Sequence, residues 1–357
     1  MNLRRNFLKQ SALAVLAAST PRGGLAQRKR LDEHDPANTK LAHRVSARIS
    51  DDDLLFLQQI GLSWARVEFG AEPATLDAIR KTQERFERHG IKIFSGVQYA
   101  YRSLKVQLGQ PGRDQDIETY CGFLRDLGKL GIPVASYDFH PGNTYTTNMV
   151  KRRGYTAREF STDDFRAKVE KRMFDREYSA DDIWANYTYL MKAILPAAEQ
   201  ARVKLALHPD DPPLAKMNGV AKVLTHYDGY HRAEQISGGS RYWGLTFCVG
   251  TWSEGGDKMG KNVFEMIRDF GGRGKLFEIH FRNVTSPLPH FVETFPDDGY
   301  MDMYQVMKAL REVKFDGAAE PDHVPQLAGD TGSHRAGTAY CIAYMRALLR
   351  RANEEVG

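Results

Sequence analysis

Residues 180–208 read ADDIWANYTYLMKAILPAAEQARVKLALH, and they contain the unit from which the rest of the fold is predicted. Apolar residues recur at helical spacing as far as residue 200, and residues 203–207 are a short apolar run typical of a buried strand. Helices that alternate with buried strands are typical of βα units built on a parallel sheet. The same unit should then recur along the whole chain.

Short apolar runs and amphipathic stretches alternate in both directions from this unit. Strands are predicted at residues 45–49, 65–69, 91–97, 134–139, 203–207, 244–247, 276–281 and 318–320. Helices are predicted at residues 51–60, 73–89, 114–130, 180–200, 262–270, 301–313 and 335–351. About eight such units close an α/β barrel, so a single (β/α)8 TIM-barrel domain is predicted over residues 43–352. A doubly wound open sheet is the alternative, but no Gly-x-Gly-x-x-Gly follows the first strand to support a dinucleotide site.

A long polar stretch, residues 140–180, separates a predicted strand from the next predicted helix. Loops of this length inside a compact domain usually carry function. We expect the stretch to be an insertion over the mouth of the barrel.

The composition is that of an ordinary globular protein. The 357 residues are 42% hydrophobic and 27% charged, which suits one large domain with a sizeable core. The formal charge of +5 is weak, and four basic residues lie in the first 26, so no nucleic-acid partner is expected. Cys121, Cys248 and Cys341 form no Cys-x-x-Cys pair, so no disulfide framework is predicted. No membrane span is predicted, and the sequence leaves homo-oligomerisation open.

Residues 1–26 are typical of an export signal. The segment Arg4-Arg5-Asn6-Phe7-Leu8-Lys9 precedes an apolar run at residues 12–18 and a small-residue exit at residues 24–26. This order resembles a twin-arginine signal. It predicts cleavage after Ala26, a linker at residues 27–42 and a periplasmic or exported protein. The alternative is a basic tail on a cytoplasmic protein.

Four side chains that can bind a metal fall at or just after the ends of successive predicted strands. His208, Cys248, His280 and Asp322 are spaced by 40, 32 and 42 residues, each about one βα unit. All four should therefore lie at the carboxyl end of the barrel, where active sites are found. Two imidazoles, a thiolate and a carboxylate suit a divalent metal, but these donors alone do not choose between Mn²⁺, Mg²⁺, Zn²⁺ and Fe²⁺. The alternative is a core cysteine and two hydrogen-bonded histidines.

Motifs around these residues resemble the mannonate dehydratase family. They are LHPDDPP at 207–213, GLTFCVG at 244–250, HFRNV at 280–284, DMYQVMKAL at 302–310 and PDH at 321–323, with GQPGRD at 109–114 and GIPV at 131–134. The likeness covers most of residues 43–350 in order. It implies a barrel of the xylose-isomerase-like kind that dehydrates D-mannonate to 2-keto-3-deoxygluconate, usually with Mn²⁺. It also implies that His208, Cys248, His280 and Asp322 hold the metal and that His323 is the catalytic histidine.

The chemistry of dehydration suggests roles for further residues. Loss of water from a sugar acid needs a base for the C2 proton, an acid for the C3 hydroxyl and a cation for the enediolate. His323 is a candidate for one of these proton transfers, and Arg282 either pairs with the substrate carboxylate or is a solvated rim residue. Asp210 and Asp211 would bind sugar hydroxyls or brace His208, with a simple polar turn as the alternative. The candidate catalytic residues are His323, Arg282 and Asp211, and the candidate substrate-binding residues are Asp210, Asn283 and His334.

The chain departs from the family pattern in two places. The family has a tyrosine after a Pro-Gly in the loop beyond its Asp-His pair, where residues 329–335 here read GDTGSHR, with Ser333 or His334 near its place. The family also has a histidine where Val292 stands. Two alternatives to a lyase acting on a small sugar acid therefore stay open. One is a sugar isomerase or epimerase on the same barrel, and the other is a non-catalytic exported sugar-acid binding protein.

Overall fold

A closed ring of eight parallel strands forms the centre of the described part of the chain. The computed structural model describes residues 34–72, 74–142 and 146–356. Numbered with all other strands in chain order, the ring consists of β1 (Lys40–Ser46), β2 (Trp64–Glu68), β3 (Lys92–Val97), β4 (Val134–Asp138), β7 (Lys204–His208), β10 (Trp243–Cys248), β11 (Leu276–His280) and β14 (Ala318–Glu320). Their order around the ring is β1-β14-β11-β10-β7-β4-β3-β2, and each neighbouring pair is parallel. The predicted (β/α)8 barrel is confirmed, and the open doubly wound sheet is excluded.

The first strand differs from its prediction. It spans Lys40–Ser46 rather than residues 45–49, so it begins within the range expected to be a linker. The backbone N–H of Lys40 donates to the carbonyl of Gly317, next to the pairing of β1 with β14. The ring therefore closes through residues whose polar pattern carried no strand signal. The predicted signal peptide, residues 1–26, lies outside the described residues.

Helices connect the strands and cover the outside of the barrel. The α-helices are Asp51–Gln59, Leu76–Glu87, Leu104–Gln107, Arg113–Lys129, Thr162–Asp164, Ala180–Ala201, Tyr227–Ile236, Val249–Gly255, Val263–Met266, Met303–Glu312 and Arg335–Val356, with 3₁₀ turns at Tyr99–Arg102 and Gly256–Met259 and π turns at Phe165–Val169 and Ile267–Gly271. Local sequence explains where several of them begin. Ser179 and Asp182, for example, form a reciprocal capping box at the start of Ala180–Ala201. Within the described residues, none of these helices has the length and apolar character needed to cross a membrane.

The interior of the barrel changes from apolar to polar along the strands. The apolar cluster that fills one end consists of Ala42, Phe94, Val134, Ala206, Phe277 and Ala318. Since alternate residues of a strand share a face, Ser136 and Asp138 follow Val134 on β4, and Glu320 follows Ala318 on β14. In this polar layer Glu278 accepts hydrogen bonds from Ser95 and Thr246. The barrel thus presents charged groups at the carboxyl ends of its strands.

A second sheet lies at this charged end of the barrel. Its hairpin, β5 (Asn148–Arg152) and β6 (Tyr155–Ser161), lies in the stretch predicted to be an insertion. It pairs with β12 (Asn283–Val284) and β13 (His290–Thr294) in the antiparallel order β12-β13-β6-β5, which we call the cover sheet. A separate small ribbon joins β8 (Lys216–Met217) to β9 (Val220–Ala221). Met149 and Arg158 of the hairpin line a chamber at the mouth, as expected of the insertion.

Candidate metal centre and active site

Three of the four predicted metal ligands lie together at the ends of neighbouring strands. His208 ends β7, Cys248 ends β10 and His280 ends β11. Their nearest donor atoms all lie within 4.8 Å of one another, and His208 Nε2 is 3.2 Å from His280 Nδ1. The parallel register pairs Cys248 with His280, which sets these two side chains at the same height. We call this group the triad.

Each of the two histidines directs one ring nitrogen at a neighbouring oxygen, and their other ring nitrogens face each other. His208 Nδ1 lies 2.8 Å from the carbonyl of Pro209, which can only accept, so the hydrogen is on Nδ1 and Nε2 carries the lone pair. His280 Nε2 lies 3.1 Å from Glu320 Oε1, and its Nδ1 faces His208 Nε2 at 3.2 Å. A proton on His280 Nδ1 bridges these two nitrogens, and a divalent cation bound by both rings would take the place of that proton. Metal-binding histidines typically direct their second ring nitrogen at a carbonyl or carboxylate oxygen, as these two do, so the donor set fits a divalent metal.

The electrostatics of the triad favour positive charge at this point. Burial, followed by the charge of His280, holds the pKa of His208 well below its ordinary value, so its ring stays neutral. Burial would also lower the pKa of His280, but the carboxylate of Asp322 overcomes it and raises that pKa well above the usual range. The N–H of Thr251 and Arg282 Nη2 approach Cys248 Sγ at 3.4 and 3.5 Å, so both donors are directed at the sulfur.

Asp322, the fourth predicted ligand, lies beside the triad and is not one of the three residues whose donor atoms lie within 4.8 Å of one another. Its Oδ2 is 3.6 Å from His280 Nδ1 and 3.4 Å from Arg282 Nε, and its Oδ1 is 3.6 Å from Arg44 Nη1. Burial would raise its pKa, but the charges of His323 and His280 hold it well below the ordinary value. An ionised carboxylate is therefore available at the edge of the triad.

His323 follows Asp322 in a left-handed backbone conformation, with φ of 50°. Residues other than glycine rarely adopt this conformation, and such positions are often associated with function. The ring Nδ1 lies 2.9 and 3.0 Å from the two carboxylate oxygens of Glu293. Its Nε2 is 3.7 Å from Asp322 Oδ2. Glu293 thus fixes the orientation of the predicted catalytic histidine.

Two connected cavities lie above the barrel. The inner cavity, about 60 Å³, is lined by Arg44, Arg66, Arg102, Ser136, Tyr137, Asp138, His140, His208, Asp211, His280, Asp322 and His323. The outer chamber, about 470 Å³, is lined by His43, Arg44, Met149, Thr156, Ala157, Arg158, Gly332, Ser333, His334, Thr338 and residues 321–326. Arg44, Asp322 and His323 line both, so they mark the boundary between them.

Arg282 does not have either of the roles considered for it. Its side chain is fully buried and does not line the inner cavity. The guanidinium instead binds carboxylates of the protein, with Nη2 2.8 Å from Asp211, Nη1 2.5 Å from Glu254 and 3.1 Å from Glu293. Both the rim position and the pairing with a substrate carboxylate are corrected: Arg282 holds acidic side chains behind the triad.

Asp211 lines the inner cavity and shares a proton with Glu254. Burial, followed by the charge of Asp211, raises the pKa of Glu254 well above its usual range. Arg282 lowers the pKa of Asp211 against the effect of burial. The pair therefore carries one negative charge, with protonated Glu254 donating to the Asp211 carboxylate.

Two of the three predicted substrate-binding side chains bond to other groups of the protein. Asp210 is fully buried, and its carboxylate accepts from the N–H of Leu224 and lies 3.5 Å from Lys222 Nζ. The amide of Asn283 donates to the carbonyls of Pro296 and Met301 and accepts from two backbone N–H groups. Among the described residues neither side chain lines the inner cavity or the outer chamber, so their contact with a substrate stays a prediction. His334 does line the outer chamber.

Several residues of the site were not predicted from the sequence. Arg44, Arg66, Arg102, Asp138 and His140 all line the inner cavity. A signal for two of them was present, since Asp138 and His140 lie at the end of a predicted strand as His208 does. The arginines carried none, because isolated cations, two in strands and Arg102 in a 3₁₀ turn, do not indicate a site.

Comparison with known proteins agrees with the geometry of the site. The family model described as D-mannonate dehydratase (UxuA) matches residues 161–356. The mannonate dehydratase of Streptococcus pneumoniae is 31% identical over 282 residues, which cover 71% of this chain and 75% of that protein. Mannonate dehydratase 2 of Halalkalibacterium halodurans is 28% identical over 283 residues, which cover 72% of this chain and 80% of that protein.

Solved structures show the same relationship. The crystal structure of mannonate dehydratase from Streptococcus suis serotype 2 superposes with a TM-score of 0.79 at 28% identity, covering 90% of this chain and 96% of that chain. A xylose isomerase domain protein from Alicyclobacillus acidocaldarius superposes with a TM-score of 0.60 at 10% identity, covering 88% of this chain and 99% of that chain. At that low identity the second likeness shows the fold alone.

Proposed function

The chain belongs to the D-mannonate dehydratase family, and on this premise we propose that it dehydrates D-mannonate, or a closely related aldonate, to the 2-keto-3-deoxy acid. Membership of the family makes it a hydro-lyase. The observation that carries the proposal is the triad, whose two histidine rings face each other beside a buried carboxylate and a positioned histidine.

We propose that His208, Cys248, His280 and Asp322 hold one divalent metal ion. Mn²⁺ is our first choice because the family resemblance implies it, and Fe²⁺, Mg²⁺ and Zn²⁺ are the alternatives that these donors allow. When bound, the ion supplies positive charge that stabilises the negative charge developing on the sugar acid as its C2 proton leaves.

The side chains of the chain supply positioning and proton transfer. His323, fixed by Glu293, lies at the boundary of the two cavities and can exchange a proton with a substrate in the inner one. Arg44 lies at the same boundary, with its side chain about 39% exposed, and can pair with an anionic substrate group. Residues of the cover sheet line the outer chamber above this boundary.

The test combines product formation with exchange of the C2 proton. Protein loaded with metal should convert D-mannonate to 2-keto-3-deoxygluconate, detected by mass spectrometry. His323→Asn should keep its metal and lose on the order of 10²–10⁴ in turnover. Exchange of the C2 proton without dehydration would assign the chain to isomerisation or epimerisation instead. If neither exchange nor dehydration occurs with any aldonate, the chain is a sugar-acid binding protein instead of an enzyme.

We further propose that the protein is exported through its twin-arginine-like segment. Arg4-Arg5 followed by Phe7-Leu8-Lys9 supports this location. Replacing both arginines by lysine should leave the precursor inside the cell. A double Arg28→Lys, Arg30→Lys variant makes the same exchange beyond the signal and should be exported normally. An unprocessed N-terminus at Met1 in the mature protein would contradict the proposal.

A further inference from the structure

The loop after β14 does not supply a substitute for the missing family tyrosine within the inner cavity. The hydroxyl of Ser333 donates to Asp53 Oδ1 at 3.0 Å, and His334 Nδ1 donates to the carbonyl of Val324 at 2.9 Å. Both residues line the outer chamber, and neither lines the inner cavity. A second proton-transfer group to work with His323 must therefore come from another strand end.

His140 is a buried titratable group on the wall of the inner cavity. It follows β4 by two residues and is 6% exposed. Its Nε2 lies 3.5 Å from Asp138 Oδ1, while its Nδ1 has no hydrogen-bond partner among the described residues. The other oxygen of Asp138 is fixed by Tyr101 at 3.0 Å and by Arg102 at 2.6 Å. The Asp138 carboxylate, fixed by Tyr101 and Arg102, thus faces His140, whose Nδ1 has no hydrogen-bond partner among the described residues.

The other titratable groups on this wall are less suited to proton transfer. The hydroxyl of Tyr137 contacts that of Tyr187 at 3.1 Å, and burial raises its pKa well above the ordinary value. Burial would raise the pKa of Asp138, but the charges of His140 and Arg102 hold it below its usual range. Asp138 therefore remains a carboxylate and Tyr137 remains a phenol, so of these three neighbouring groups His140 is the one that can change its protonation.

The order of strands places His140 opposite His323. In the closed ring β4 and β14 are four places apart in either direction, so their carboxyl ends lie across the barrel from each other. The ligand-bearing strands β7, β10 and β11 fill one of the two arcs between them. A sugar acid bound at the triad would therefore have His140 on one flank and His323 on the other.

We propose that His140, which lies beside Asp138, removes the C2 proton of the sugar acid and that His323 protonates the departing C3 hydroxyl. The proposal rests on the proposed function. The electron pair of the C2–H bond forms the C1–C2 double bond of the enediolate. That pair then forms a C2–C3 double bond as the C3–O bond breaks and oxygen leaves as water. The resulting enol takes a proton at C3 and loses its C2 hydroxyl proton to solvent, which gives the 2-keto-3-deoxy acid, and solvent restores both histidines.

The surroundings of His140 suit a base. Burial lowers its pKa against the attraction of Asp138, so the ring is neutral at neutral pH and can accept a proton. The carboxylate of Asp138 would stabilise the imidazolium that forms, as the aspartate of a Ser-His-Asp site does. Lys222 Nζ donates to the carbonyl of Pro141 at 3.0 Å and lies 3.5 Å from Asp210, which holds the segment that carries His140.

The first test separates the two histidines by the step that each one performs. With C2-deuterated D-mannonate, His140→Gln should lose release of deuterium and dehydration together, each by on the order of 10²–10⁴. His323→Asn should lose dehydration but still release deuterium to water. His231→Gln, on an exposed helix face, is the matched control and should behave as the wild type. Metal content, measured for each variant, should stay at the wild-type level.

Wild-type deuterium release in His140→Gln, with or without dehydration, would overturn His140 as the base. A loss of deuterium release that accompanies a loss of bound metal would also overturn this role, because the metal site would then explain it. If His140→Gln does not fold, His140→Ala with added imidazole and Asp138→Asn take its place. Imidazole should restore turnover to the alanine variant, which a purely structural role would not allow, and no rescue in a folded variant rejects the proposal. A wild type that neither exchanges nor dehydrates any aldonate would refute the proposed function, and this inference with it.

Discussion

Arg282 is the residue on which the acidic groups behind the triad depend. Its buried guanidinium binds Asp211, Glu254 and Glu293. Removing one partner of a buried charge network leaves the others uncompensated. We therefore expect Arg282→Met to lower the free energy of unfolding by about 3–5 kcal/mol. Urea unfolding followed by circular dichroism measures this loss.

Glu254→Gln is the matched control for Arg282→Met. Because Glu254 already carries a proton, glutamine keeps both its neutrality and its ability to donate to Asp211. Its stability should stay within about 0.5 kcal/mol of the wild type. A loss in Glu254→Gln as large as in Arg282→Met would show that Glu254 is ionised in the folded protein.

At the scale of single residues, the spacing of strand ends by one βα unit predicted which side chains would lie together. His208, Cys248 and His280 came together because each ends a strand of the same barrel. Arg282 was misplaced because its burial depends on carboxylates from three separate segments of the chain. The contacts of Asn283 were not predicted for a similar reason, since its partners belong to a loop that folds back from residues 296–301.

Among the elements, the β5–β6 hairpin contributes a cation to the outer chamber. Arg158 lines this chamber, and its guanidinium forms no hydrogen bond or ion pair with the described residues. We expect Arg158→Gln to lower kcat/KM for an anionic sugar acid about 3–5-fold, the effect of an exposed charge worth up to ~1 kcal/mol. The difference should shrink at high salt because exposed charges are screened.

Lys151→Gln provides the control on the same hairpin. Lys151 is exposed, bonds to Thr156 and does not line the chamber. Its replacement should leave kcat/KM unchanged at every ionic strength. Equal kinetics for the two variants would mean that Arg158 does not attract the substrate.

Elements with strong periodicity were predicted well, and those formed by distant pairing were not. The helix predicted at residues 180–200 is found as Ala180–Ala201, and the strand at 318–320 is found as Ala318–Glu320. The cover sheet was expected only as an insertion, because its strands are short, and β6 pairs with a strand far along the chain. Such pairing leaves no local pattern in either segment.

For the whole molecule, the metal site links ligand binding to stability. A ligand that binds only the folded state at 100 times its Kd stabilises it by about 2.7 kcal/mol. For a domain of this size, that should raise Tm by roughly 3–5 °C. Thermal unfolding with Mn²⁺ against a chelator measures the shift.

Variants of the ligands show whether the shift arises at the proposed site. His208→Ala should show no rise in Tm with Mn²⁺, because a triad donor is gone. Asp322→Asn should show a reduced rise, since it removes a charge at the edge of the triad. An undiminished shift in His208→Ala would place the metal elsewhere on the protein.

The cover sheet also bears on how the mouth opens. His290 and Glu159, which meet across it, are separated by 131 residues, and joining chain segments so far apart is entropically costly until the barrel has formed. We therefore expect the sheet to form after the barrel. Units of this kind unfold locally and cooperatively at less cost than the whole domain. We expect amide hydrogens of β5, β6 and β13 to exchange together and faster than those of the ring, so that the mouth opens by brief local unfolding of one unit.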